Sequence, residues 1–212
     1  MDFEIIKPAD IEKRSFAIIT EELGDRVFPE EIDLVVKRVI HTSADFDYAD
    51  NLVFSEGAVP RALEAIRNGA HIVTDTNMVK AGINKKTLAK FGGEVHCFVA
   101  DADVAEEAKQ RGVTRSTVSM ERAAKLDVPV IFAIGNAPTA LIELDRLMRE
   151  QDLKPELIIG VPVGFVNVVE SKELILQSQA PHIVARGRKG GSNVAAAIVN
   201  ALLYQLVHRE GF

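Results

Sequence analysis

VPVIFAIGNAPTALIELDRLMRE, residues 128–150, decides the fold. Its first part is apolar at every position from Val130 to Ile134, so a strand there has no face to give to water. A strand covered by helices on both sides reads this way. Gly135 and Asn136 break the run. Pro138 then opens a stretch whose apolar residues, Leu141, Leu144 and Leu147 among them, recur at helical spacing. The unit is a buried strand, a glycine turn and a helix.

The same unit recurs in type along the chain, though not in sequence. LVFS (52–55) precedes a helix at about 58–68. HIVTD (71–75) precedes TNMVKAGI, with Asp75 or Thr76 as cap. EVHCFVAD (94–101) precedes VAEEAKQRG. ELIIGVPV (156–163) precedes a short helix near 167–177, and HIVARG (182–187) precedes SNVAAAIVNALLYQLVHR. Strands alternating with helices require crossover connections and hence a mainly parallel sheet. The expected architecture is a three-layer, doubly wound α/β fold of about five or six strands, a single domain over 1–212.

Ligands of such sheets sit beyond the carboxyl ends of the strands. Three glycine-rich turns fall there: GNAPT (135–139), GVPVGF (160–165) and RGRKGGS (186–192). The last joins Arg186, Arg188 and Lys189 to a helix start and is the densest basic and glycine patch. It reads equally as an anion cradle or as a strand-to-helix turn with solvated cations. It is not a Walker loop, and no turn carries G-x-G-x-x-G.

Ahead of the first unit lie two helices. Residues 10–23 open at Asp10, a partial cap, and place Ile11, Ser15 and Ile18 on a stripe expected to face inward. Ser15 either bonds back to a carbonyl or touches a ligand. Pro29 opens the second helix. It carries a buried stripe of Ile32, Val35, Val36 and Val39, with Leu34, Arg38 and His41 on another face. Arg38 and His41, three residues apart, point a permanent cation and a neutral-range titrating group into one space. That suits an anionic ligand and one proton transfer. A helix-end histidine stabilised by the dipole, with a solvated arginine, explains the same pair. The run Asp45, Asp47, Asp50 and Glu56 fails as a calcium loop, because Asp50 stands where glycine is needed, and reads as an acidic turn.

Thr114-Arg115-Ser116 lies between helices, with Ser116 as expected cap and Arg115 free to reach an anion or solvent. Cys97 alternates with Val95 and Val99 and reads as core. His96 takes the other face, His71 and His182 start strands, and His208 ends a helix. No His, Cys, Asp or Glu set has metal-ligand spacing, so no metal is expected.

The charge balance, 25 basic against 31 acidic residues for a net −6, disfavours a nucleic-acid binder. One cysteine, no secretory start and no spanning apolar run point to a cytoplasmic protein without membrane contact.

RSFAII (14–19), RVIH (38–41), IGNAPTAL (134–141), GVPVGFVNVVESK (160–172) and RGRKGGS (186–192) together resemble the precorrin-8X methylmutase family, which includes the cobalt-precorrin-8 form. The resemblance covers nearly the whole chain in order. It implies an isomerase of cobalamin biosynthesis that moves a methyl group from C11 to C12 of the macrocycle, giving hydrogenobyrinate or cobyrinate. It implies no cofactor, a corrinoid (tetrapyrrole) substrate, a homodimer and hand-over to neighbouring pathway enzymes. Carried over residue by residue, His41 is the acid–base, and Ser15, Arg38 and Arg115 contact substrate. The competing class is a non-catalytic corrinoid carrier.

Overall fold

A computed structural model describes residues 6–7 and 10–207. Six strands form one sheet: β1 (Leu52–Phe54), β2 (His71–Thr74), β3 (Val95–His96), β4 (Val130–Ile134), β5 (Leu157–Gly160) and β6 (His182–Ala185). Their spatial order is β1-β6-β5-β4-β2-β3. Strands β2 to β6 are mutually parallel, and β1 adds to the edge of β6 antiparallel, pairing Leu52 with Ala185. The parallel five have the doubly wound arrangement, and the winding reverses between β2 and β4. β3 is shorter than EVHCFVAD suggests. Only Val95 and His96 pair with β2.

Helices cover both faces, as the apolar strands require. One layer holds α1 (Ile11–Leu23), α2 (Glu30–Ser43), the short α3 (Tyr48–Asn51), α4 (Ala58–Arg67), α5 (Asn77–Gly82) and α6 (Lys85–Leu88). The other holds α7 (Ala102–Arg111), α8 (Arg115–Ala123), α9 (Pro138–Gln151) and α10 (Val168–Gln177). The last helix, α11 (Ser192–Val207), lies in the first layer and packs against α2, α4 and α5 as well as β4 and β5. Its Val194, Ala195, Ile198, Val199 and Leu202 are buried. Alternate strand residues feed the two cores: Ile131 and Ala133 face the first layer, Phe132 and Ile134 the second.

Several local readings hold and several change. Thr76 caps α5, its hydroxyl accepting from Val79 N–H at 3.2 Å. Val35, Val36 and Val39 are buried on α2, joined by Ile40. Cys97 is buried. Asp10 makes no side-chain cap bond. Thr114, not Ser116, caps α8, accepting from Thr117 N–H at 3.1 Å. Ile11 and Ile18 are 53% and 37% exposed, and α1 instead buries Ile19 and Leu23. The Ile11–Ser15–Ile18 stripe therefore faces outward within this chain. His208 lies outside the described residues.

The winding reversal is closed by one carboxylate. Asp75, directly after β2 and only 1% exposed, accepts from the N–H groups of Gly135, Asn136 and Ala137 at 2.9, 2.7 and 2.6 Å. Burial pushes its pKa up, and those three donors pull it back. The neighbouring turns are as tightly seated. A Cβ on Gly190 would come 2.1 Å from the Val161 carbonyl oxygen, and one on Gly135 2.8 Å from Ser192 Cα. Lys172, fully buried, donates to the carbonyls of Gly187 and Lys189 at 2.8 Å each, and burial lowers its pKa to about 8.

Replacing Asp75 by Ala strands three backbone N–H groups, each costing about 1–3 kcal/mol when buried and unpaired. The D75A chain is expected to lose at least about 3 kcal/mol in urea denaturation, and a loss under 1 kcal/mol would show the clamp to be dispensable.

Candidate active site

His41 occupies the last turn of α2, and Ala44 ends the helix in the left-handed region at φ 52°. This end is tied to the carboxyl rim of the sheet. Lys189, in the turn after β6, donates to Asp45 at 2.7 Å and to Asp47 at 2.6 Å. Those bonds hold the Asp45 carboxyl below its usual range and raise the Lys189 ammonium. The acidic turn is thus a seat for lysine. Together with the Lys172 bonds and the packing of Gly190, it shows that the 186–192 patch is satisfied largely by its own chain. Arg186 pairs loosely with Glu173, and Arg188 lies 5.4 Å from the centre of the exposed Phe165 ring.

Beyond the rim a groove of about 260 Å³ runs between two helices. Arg38, His41 and Thr42 of α2 face Asn193, Ala197 and Tyr204 of α11. The floor is made by close packing, since a Cβ on Gly82 at the end of α5 would sit 2.8 Å from that of Ala196. Helix α1 reaches the edge of the groove through Phe16. Its Phe16 ring stacks on the His41 imidazole with centroids 5.4 Å apart and planes 24° apart. The Arg38 guanidinium lies between two rings, 4.8 Å from the centre of Phe16 and 5.4 Å from that of Tyr204. It also forms an ion pair with Glu12 of α1.

These contacts set the chemistry of His41. Partial burial and the Arg38 charge lower its pKa, while Glu12 raises it, although much of the ring remains exposed. The imidazole is therefore a stronger acid than a free histidine. Arg38 is 8% exposed, so it is a held cation in a partly dry place and not a solvated surface charge.

Of the four residues singled out in the sequence, the structure brings together two, Arg38 and His41. Ser15 donates to the Ile11 carbonyl at 3.0 Å, the back-bonding alternative, one position before the Phe16 that covers His41. Arg115 heads α8 in the opposite helical layer and is exposed. Glu12, Phe16 and Tyr204 were not among the candidates. They come from segments 22 or more residues from Arg38, and only helix packing brings them there.

One group of potential metal ligands does converge in space, although no set has such spacing in sequence. Spacing along the chain hides a cluster made across strands, where His71, Glu94 and His96 bring their ligand atoms within 4.8 Å of one another.

The family model described as precorrin-8X methylmutase matches residues 10–205. The chain belongs to the precorrin-8X methylmutase family. It is 48% identical to the cobalt-precorrin-8 methylmutase of Priestia megaterium over 93% of this chain and 88% of that one. It is 46% identical to the cobalt-precorrin-8 methylmutase of Salmonella typhimurium over 95% and 97%. The crystal structure of precorrin-8x methyl mutase from Thermus thermophilus superposes with a TM-score of 0.86 at 38% identity, covering 94% of this chain and 98% of that one. Family membership makes the chain an enzyme, an isomerase of the methylmutase kind. Among the described residues no helix is long and apolar enough to cross a membrane.

Removing the aromatic cover in F16A is expected to raise the His41 pKa toward 6.5, while E12Q removes a negative neighbour and lowers it further. Titration of the imidazole proton resonances checks both. Equal pKa values in the two variants would mean that α1 does not set the acidity of His41.

Proposed function

We propose that this chain catalyses the cobalamin-pathway isomerisation that moves the C11 methyl group of precorrin-8X or cobalt-precorrin-8 to C12, with His41 as the acid–base. The observation that carries this reading is His41 itself, lining the groove with Arg38 and stacked on the same Phe16 ring that the Arg38 guanidinium contacts. The names of the Priestia and Salmonella relatives favour the cobalt-bound ring as substrate.

The substrate is a broad apolar ring with carboxylates around its edge. It calls for apolar walls and scattered cations more than one charged pocket. The Arg38 guanidinium meets a peripheral carboxylate, and Glu12 gives way to it. His41 gives its proton to the conjugated macrocycle, at a nitrogen of a metal-free ring or at a carbon of the conjugated system when cobalt holds the nitrogens, which draws electrons from the macrocycle and eases migration of the methyl group. The C11–methyl bond breaks as the C12–methyl bond forms. The proton then returns to His41, so the product is an isomer and nothing is consumed.

The groove is smaller than the roughly 300–1,000 Å³ of a typical ligand site, and the ring is larger than a typical ligand. We take the macrocycle to lie over the groove and to be enclosed by a second copy of the chain. The exposed Ile11 and Ile18 of α1 offer that copy an apolar surface. Ser15 lies on the same helix. Arg115, in the far layer, belongs to the substrate set only by way of such a neighbour.

H41A is expected to bind the ring and fail to convert it, seen as an unchanged absorption spectrum after mixing with substrate. Normal turnover by H41A would remove His41 from the mechanism, and rapid release of unaltered ring by the wild-type chain would favour a carrier. R38A is expected to weaken ring binding by about 1–3 kcal/mol, the cost of a charge-assisted hydrogen bond, and unchanged affinity would exclude the contact.

A pH profile tests the proton. An acid must be charged to act, so kcat/KM should be highest at low pH and fall above the His41 pKa, which lies below 6.5 in the free protein. The limb in kcat should lie at higher pH, because bound carboxylates stabilise the imidazolium. Coincident limbs, or limbs unchanged in E12Q, would contradict the assignment.

A further inference from the structure

On the sheet face opposite His41, three metal-ligating side chains meet where β2 pairs with the edge strand β3. The register sets Ile72 against Val95 and Val73 against His96. It therefore puts His71 beside Glu94 and leaves His96 one step along the same face. Val73, in phase with His71 and His96, belongs to the core of the second layer, whereas Ile72 and Val95 belong to the first. The cluster is thus separated from the groove by the sheet itself. His71 Nδ1 lies 2.8 Å from His96 Nε2, with the rings 18° from parallel. One ligand atom from each of His71, Glu94 and His96 falls within 4.8 Å of the others.

We propose that His71, Glu94 and His96 form a binding site for a divalent transition ion, with zinc as the ion it suits. Ligand atoms on one tetrahedral zinc lie about 3.3 Å apart, from bonds of roughly 2.0–2.1 Å. The three atoms here need only small side-chain rotations to reach that spacing. Neither imidazole is fully buried and Glu94 is exposed, so Glu94 can swing toward the two rings, while His96 is also steadied by its stacking on Phe98. Two imidazoles in contact share a proton, and a metal ion takes that proton's place. Two nitrogens and one carboxylate oxygen suit zinc, cobalt or nickel over magnesium or calcium, and leave a coordination position for water. The charge of Glu94 also offsets that of Lys80, which acts on the same imidazole.

The ion has a structural consequence. Strand β3 is joined to the sheet by two register pairs. A metal held by His71 on one strand and by Glu94 and His96 on the other ties this edge down. An ion that binds the folded chain alone raises its stability by mass action.

The test uses the full-length chain stripped of metal with a chelator. Cobalt(II) is titrated in and followed by its visible absorption, zinc is then used to displace it, and the melting temperature is read with and without zinc. The wild-type chain should bind one ion and melt higher with zinc. H71A and H96A should each weaken binding by more than about tenfold, because losing a ligand costs at least as much as losing a group that orients one. E94Q should weaken it less, and H41A should bind as the wild type does. Should either histidine variant fail to fold, X-ray absorption of cobalt on the wild-type chain must count two imidazoles. No saturable binding, equal affinity in folded H96A, or loss of the ion in H41A would each overturn the site. None of these outcomes bears on methyl transfer.

Discussion

A single buried carboxylate shapes where this protein can hold a ligand. In a doubly wound sheet the crevice at the winding reversal is the ordinary ligand site, because backbone N–H groups and a helix N-terminus converge there. Here Asp75 fills that crevice from within, accepting from Gly135, Asn136 and Ala137 ahead of α9. The donors that would hold a phosphate hold the protein's own anion. Ser192, at the start of α11, closes the same region by a 3.1 Å contact between its hydroxyl and that of Thr76. With the reversal sealed, the candidate site moves outward to the α2–α11 groove.

That displacement suits the shape of the proposed substrate. A nucleotide phosphate is compact and can be swallowed by a glycine turn. A macrocycle edged with carboxylates cannot enter such a turn, and needs a broad shelf. The three glycine-rich turns are accordingly spent on packing against one another, as Gly190 against Val161 and Gly135 against Ser192 demonstrate. Their service to the site is indirect. Through Lys189 they fix Asp45 and Asp47, and so the end of α2 that carries His41.

What could be read in the sequence was whatever depends on local period. The apolar strands, the helices between them, the Thr76 cap and the pairing of Arg38 with His41 on one helical face all follow from residues a few positions apart. What could not be read depends on which segments meet. The stripe of Ile11, Ser15 and Ile18 has helical spacing, yet spacing does not tell which face of α1 the core will take, and Ile19 with Leu23 takes it. Arg38 read as an anion receptor, while the structure gives it Glu12 from 26 residues away. His71 and His96 read as unrelated strand residues, because ligand spacing within one segment says nothing of two strands in register.

The groove also explains why a lowered histidine pKa is compatible with acid catalysis. An imidazole of normal basicity holds its proton well but gives it up reluctantly to a weakly basic macrocycle. Partial burial and Arg38 make His41 a better donor and leave less of it protonated at neutral pH. In the proposed mechanism a substrate bearing carboxylates would correct this on arrival. Its negative edge would compete with Glu12 for Arg38 and stabilise the imidazolium, so that the acid would be charged most fully with the ring in place. On that proposal Glu12, ion-paired with Arg38, would be a stand-in for the substrate carboxylate. An uncharged analogue of the macrocycle would fill the same space without loading the proton, which separates the role of shape from the role of charge.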